Sequence, residues 1–529
     1  MNKAAALWVM VGVAVGAVNA ADQTAPPPAP HPYESPVAPK PTNTIDRLVL
    51  ARLDRLGIQP ANLCSDAVFV RRAYLDIIGT LPTGGEAQQF ILNNSPQKRT
   101  QLIDRLLARD EFADYWANKW SDLLRVKAEF PINLWPNAAQ AYHRWIRDSL
   151  RENKPYDRFV RELLTASGSN FRVPPVNFYR ALQDKTPTGI AQAVALTFLG
   201  ERAERWPPER LAGLAAFFAQ VAYKPTGEWK EEIVFFDPNR SATNSAAQTP
   251  VFPDGRAARL SPGQDPREVF ADWLIRPANP WFTRNIANRV WAWLLGRGII
   301  HEPDDIRPDN PPVNPELLAY LEKELVAAHY DLKHLYRLIL TSQTYQMSPV
   351  PRSSHAQAAA HFAYYPLRRL DAEVLIDALN QITSTTEKYS SAIPEPFTFI
   401  PEDHRAIALP DGSITSSFLE LFGRPPRDTG RESERNNRVT PAQRLHLLNS
   451  SHVQRKLEQS RMVQYQVSSK KSPREMATGI YLGVLSRFPT DAELAAVDTY
   501  AQAARGDARR MAVDLAWALI NSAEFLYRH

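Results

Sequence analysis

From Thr44 onward the chain repeats one spacing. Ile45, Leu48, Val49, Leu53 and Leu56 recur three and four residues apart and stop at Gly57, the pattern of an amphipathic helix with a glycine past its end. The same period predicts helices over residues 100–107, 138–150, 158–164, 188–198 and 211–222, separated by short loops rich in Pro and Gly. Residues 223–262 break it: Ile233-Val234-Phe235-Phe236 and Val251-Phe252 are strand-like runs between polar loops. Helical spacing resumes over 266–274, 283–295, 315–328, 332–340, 371–382, 441–457, 473–485, 491–504 and 508–526, and residues 383–440 are the least regular. The expected fold class is mainly α, with helical domains at 44–222 and 263–529 joined by a small β-containing connector at 223–262.

The start of the chain carries a different signal. Lys3, the small and apolar stretch Ala4 to Val18, and the small residues up to Ala20 and Ala21 predict a secretory signal peptide over residues 1–21. Residues 22–43 are crowded with proline, Pro26-Pro27-Pro28 included, which predicts an extended, solvated linker. No later stretch is apolar enough to cross a bilayer, so no stable membrane span is expected after cleavage, and the location implied is periplasmic or secreted. Composition narrows the chemistry. The 529 residues hold 62 Lys and Arg against 57 Asp and Glu, a net charge of +5 too small and dispersed to imply nucleic acid. Cys64 is the single cysteine, which excludes an internal disulfide, a cysteine-based zinc site and a C-x-x-C-H haem attachment. It is expected as a buried small apolar residue.

One phrase occurs twice. Tyr74 to Thr83 (YLDIIGTLPT), with Glu86 following, parallels Tyr481 to Thr490 (YLGVLSRFPT), with Glu493 following. Each leads to a matching end, Asp110-Glu111-Phe112 and Ala523-Glu524-Phe525. Thr and Glu three residues apart are the capping box that satisfies free amides at a helix start, so the repeat predicts a helical unit used near both ends.

Phe69 to Thr83, Trp116 to Arg125 and Thr197-Phe198-Leu199-Gly200 resemble the planctomycete cytochrome-associated domain of unknown function labelled PSCyt. Pro280 to Trp291, Leu421 to Arg427 and Leu445 to Asn449 resemble its companion, labelled PSD. The resemblance runs from about Thr44 to His529 and implies an exported protein whose biochemical role is unsettled. Typical relatives follow the Thr-Phe-Leu-Gly phrase with C-x-x-C-H-N-H-P-F, which looks like a haem c attachment or a metal knuckle. This chain instead runs through Glu201 to Glu204 into Arg205-Trp206-Pro207-Pro208, without Cys or His. Two thioether bonds and an axial His would hold such a haem, so no cofactor is expected.

Several clusters remain as candidate sites. Arg424, Arg427, Arg431, Arg435 and Arg438, with Glu432 and Glu434 between them, could grip an anion through guanidinium forks, or form a solvated loop of internal ion pairs. Trp281, Asn285, Asn288 and Arg289 combine an aromatic face with amide and guanidinium donors, as sugar recognition does, at a spacing that also suits core packing. Trp116 and Trp120 share a helical face, with Lys119 and Arg125 expected outside it. His301, Glu302, Asp304, Asp305 and Asp309 gather in one loop without the alternation of an EF-hand. His329 and His334 are not at ligand spacing on a helix, and no complete catalytic set, phosphate loop or dinucleotide fingerprint is present. The reading is an exported binding or scaffold component without covalent haem, its partner an unknown envelope protein or an anionic glycan. The competing reading is an enzyme or redox component acting on anionic, sulfated or uronic, polysaccharide.

Overall fold

The computed structural model describes residues 32–240, 249–469, 471–504 and 506–529. The expected signal peptide at 1–21 and residues 22–31 of the expected linker lie outside the described residues. Of the rest of the expected linker, residues 36–38 and 40–42 are exposed, but its first residues are held against the body. Ser35 N donates to Leu63 O (2.8 Å), Leu63 N to Val37 O (2.9 Å) and Ser65 Oγ to Pro32 O (2.8 Å), so residues 32–37 lie along 63–65. Cys64 is buried beside them.

The fold is mainly α, and most helices begin where side chains supply the missing acceptors. Asn43 caps the helix Thr44–Arg55, Ser65 caps Asp66–Ile77, and Thr83 with Glu86 forms a full capping box on Gly84–Leu92. Thr490 with Glu493 does the same for Asp491–Ala503. The two copies of the repeat touch: a Cβ at Gly84 would stand 3.4 Å from the amide of Gly483. The long expected helix over 441–457 is two helices, Pro441–Asn449 and Ser451–Glu458, because Ser450 is extended and its side chain caps the second. The helix expected to reach 222 ends with a 3-10 turn at Ala216–Phe218, and the chain turns into a strand.

The β content is small and local. β1 (Gly168–Ser169), β2 (Val221–Pro225) and β3 (Glu232–Phe236) form an antiparallel sheet in the order β1-β3-β2, with Tyr223 opposite Val234. Val251-Phe252 contributes only an isolated bridge to Ala257. β4 (Arg368–Arg369) pairs with β5 (Tyr527–Arg528).

One hydrophobic core runs through both halves, from Ile45 to Phe525. Trp116 packs against Tyr336 and Trp293 at ring distances of 4.5 and 5.2 Å, and Trp120 against Phe159 at 5.3 Å. Arg71 and Arg72, both buried, donate to carbonyls of Val484, Phe525, Tyr345 and His529. Among the described residues no helix is long and apolar enough to cross a membrane.

Candidate functional site

Three of the five loop arginines end in a buried ionic hub between the halves. Arg427 donates to Asp122 (2.9 Å) and to Asn118 Oδ1 (2.6 Å). Arg435 reaches Asp122 (2.6 Å) and Glu373 (2.7 Å). Arg424 donates to the carbonyls of Ile414 and Asp411. Lys119 (2.9 Å), Asn437 (2.8 Å) and Arg528 (3.0 Å) share Asp371. Burial pushes both carboxyls up, but the facing cations override it: Lys119, Arg435 and Arg528 hold Asp371 well below the usual carboxylate range, and Arg435 takes Glu373 to about 2. Arg431 and Arg438 reach solvent, and Arg431 pairs with Glu204 (2.8 Å). The five therefore do not converge on an open anion site. The cavity between Lys119, Asp122, Trp293, Arg431, Glu432 and Arg435 is about 10 Å³, room for one water. Lys119 and Arg125, expected outside, are buried because the second half covers that helix face; Arg125 Nε donates to Thr429 O (2.9 Å).

The polar-aromatic group is also structural. Asn285 donates to Thr197 O (2.8 Å), and Asn288 clasps the backbone of Ile300 at 2.9 and 2.8 Å. Arg289 pairs with Asp304 (2.7 Å) and Glu432 (3.4 Å). Trp281 Nε1 donates to Glu201 (2.6 Å), which also accepts from Trp206 Nε1 (2.8 Å) and faces Arg210 at 3.1 Å. Glu201 directly follows the Thr-Phe-Leu-Gly phrase. It binds two indoles and a guanidinium there, and residues 200–210 offer no thiol or imidazole, so they do not fit a covalently held haem.

The acidic loop is taken up by arginines: Glu302 by Arg202 (3.1 Å), Asp304 by Arg289, Asp305 by Arg205 (3.3 Å) and Arg307 (3.1 Å), and Asp309 by the same Arg307 (2.5 Å). His334 stands 3.9 Å from Glu324. Among the described residues no group of three or more His, Cys, Asp or Glu is placed to hold a metal ion.

An open cleft of about 390 Å³ lies elsewhere, within the size range of small-ligand sites. One wall is the first copy of the repeat: Thr80, Leu81, Thr83 and Glu86, with Arg109 and Glu111. The other is Asp377, Asn380, Gln381, Thr385, Thr386, Asp403, His404 and Arg405. Gln381 ties the walls together, accepting from Thr80 Oγ1 (2.9 Å) and donating to Leu81 O (2.9 Å). Arg109 joins Glu111 (Nε at 3.2 Å) to Glu86 (3.5 Å). Its hydrogen bonds hold the Glu111 carboxyl below its usual range. Burial raises Glu86, but Thr83, Tyr74 and Arg109 together take it below its ordinary value. Burial raises Asp377 to about 6, against the pull of Arg405 (3.7 Å) and the backbone amides of Ala406 (2.8 Å) and Ile407 (3.1 Å). An acid of that strength in a cleft suits proton transfer, yet both Asp377 oxygens are engaged in starting the 3-10 turn Ala406–Ala408. Most of the residues lining the cleft carry hydrogen-bonding or charged side chains. Asp377, His404 and Arg405 stand in or beside the irregular stretch and carried no signal in the sequence; Glu86 carried only its capping role.

Residues 44–205 match the family model PSCyt2, a protein of unknown function (DUF1549), and residues 266–501 match PSD1, a protein of unknown function (DUF1553). The chain thus carries a PSCyt2-type domain followed by a PSD1-type domain. No curated protein and no solved structure matches it.

Proposed function

We propose that this chain is an exported binding component that takes a small, polar, hydroxyl-rich ligand in the cleft between Thr80, Arg109, Gln381 and Arg405. One observation carries the reading. Three residues before each capping threonine the repeat has Thr80 in the first copy and Arg487 in the second, and the shorter side chain leaves the first copy open. Thr80, Asn380, Gln381, Thr385 and Thr386 offer neutral hydrogen-bonding groups, and the carboxyls of Glu86, Glu111, Asp377 and Asp403 outnumber the guanidiniums of Arg109 and Arg405, which disfavours an anionic guest. The competing reading, an enzyme or redox component gripping anionic polysaccharide, draws no support from Arg424, Arg427 and Arg435, which already face carboxylates or carbonyls. The test is a thermal-shift series on the full chain against monosaccharides, disaccharides, polyols and amino sugars, repeated with Thr80→Arg. A ligand at 100 times its Kd adds about 2.7 kcal/mol of stability. One class should shift the wild type and not the variant. An equal shift in both, or no shift from any of them, removes the cleft as the binding site.

A further inference from the structure

Three loops far apart in sequence bring aromatic rings together on the surface. Trp135 precedes the helix Pro136–Arg151, Trp229 lies in the turn between β2 and β3, and Phe397 belongs to the irregular stretch after residue 383. Their ring centroids are 4.7, 5.3 and 5.4 Å apart, all edge to face. Trp229 is 61% exposed, and Phe130 and Phe399 on two of the same loops are 79% and 68% exposed. Leaving this much aromatic area in water forfeits the burial that holds Trp116 and Trp120 in place.

The platform is rigidly built. Glu129 accepts from Ser391 Oγ (3.2 Å) and Ala392 N (3.0 Å), fastening the first loop to the third. Arg180 bonds Leu134 O (3.2 Å) and Glu232 (2.8 Å), fastening the first to the hairpin. Trp135 has φ 72 and ψ 147, and Lys230 has φ 64. Such backbone angles are costly for residues with a side chain and persist only where the surroundings impose them. The rings are thus held at fixed positions.

What fits is narrowed by chemistry. The rings touch one another, and Lys230 already stands 5.3 Å from Trp135 and 5.7 Å from Trp229, so no gap remains for a cationic guest between them. The exposed large apolar groups here are all aromatic, whereas the exposed group at Leu445 and Leu448 is aliphatic; ring faces suit stacking on flat C–H surfaces more than burial against another protein core. Flanking charges are of both signs, Glu228 and Glu395 with Lys230, which opposes an anionic polymer or an anionic bilayer. We infer that this platform binds a neutral polysaccharide, stacking sugar rings on Trp229 and Phe397. Phe397 and Asp403 in the cleft wall are six positions apart, a span of at most about 22 Å, so a bound chain lies near the cleft without depending on it.

The experiment is affinity electrophoresis of the full chain in native gels containing hydroxyethyl cellulose, galactomannan or dextran, with dextran sulfate, alginate and phosphatidylcholine–phosphatidylglycerol vesicles in parallel. Retardation by at least one neutral polymer is expected, about tenfold weaker in Trp229→Ala and largely kept in Trp229→Tyr. Thr80→Arg should leave it unchanged, so failure of the platform and failure of the cleft are read separately. No neutral retardation, retardation confined to the charged polymers, or Trp229-dependent binding to vesicles alone would each overturn the assignment.

Discussion

The two copies of the repeated phrase share their parts and differ in what they enclose. In the second, Arg487 holds Glu493 with both terminal nitrogens (2.7 and 2.8 Å) and Glu524 with Nε and Nη2 (2.7 and 2.9 Å), and it is 8% exposed. In the first, Arg109 joins Glu86 and Glu111 but arrives from the start of another helix and is 33% exposed. Capping boxes, tyrosines and Glu-Phe endings are common to both. The arginine that joins the two glutamates comes from within the phrase in the second copy, Arg487, and from outside it in the first, Arg109, where Thr80 holds the position matching Arg487 and lines the open cleft. Similar local chemistry thus closes into a brace in one copy and borders an open cleft, the binding site proposed above, in the other.

The largest break in this comparison comes from removing the clamp. Arg487→Ala leaves Glu493 and Glu524 half-buried without their cation and should cost about 3 kcal/mol in denaturant unfolding; a loss below 1 kcal/mol would make the second copy as loosely held as the first. Next is the pH dependence of the cleft wall. Asp377 titrates near 6 in the fold and near 3.9 unfolded, so the native state binds its proton more tightly. Its contribution is fully present below the unfolded value and is lost as pH rises through 6. Stability of the wild type relative to Asp377→Asn should therefore fall by on the order of 2 kcal/mol between pH 4 and pH 7, and a flat difference would show that burial does not control this acid. Thr80→Arg, which gives the first copy the residue of the second, should cost about 1 kcal/mol while abolishing ligand-induced thermal shifts. Smallest is Arg109→Ala, expected within about 1 kcal/mol because its ion pairs are partly solvated; a cost matching that of Arg487→Ala would erase the distinction.

What was legible in the sequence followed from local physics. The helical period, Gly57, both capping boxes and the strand at Ile233 to Phe236 depend on neighbours within a few residues, and each is found in the structure. Ser450 was missed as a break because its capping bond to Val453 N leaves the apolar spacing on both sides intact. The arginine loop was legible as charge but not as interior. Arg427 meets Asp122 across 305 residues, and no periodicity records a pairing at that distance. Lys119 was misplaced for the same reason, since its helix face is covered by Asp371. The cleft escaped because its walls come from segments about 300 residues apart, one of them without regular spacing.

The hub has a consequence for how such a chain can be inherited. Asp76 is buried in the first matched segment, and its oxygens accept from Tyr345, Tyr365 and Arg528, all beyond that segment. Arg435 and Arg427 depend in turn on Asp122. Each segment pairs some interior charges within itself, as Arg289 with Asp304, but leaves others to groups outside it, so a copy of one transferred without the other would carry buried ions with no counterpart. The two domains can be recognised separately by their sequences, but they can be exchanged only as a pair.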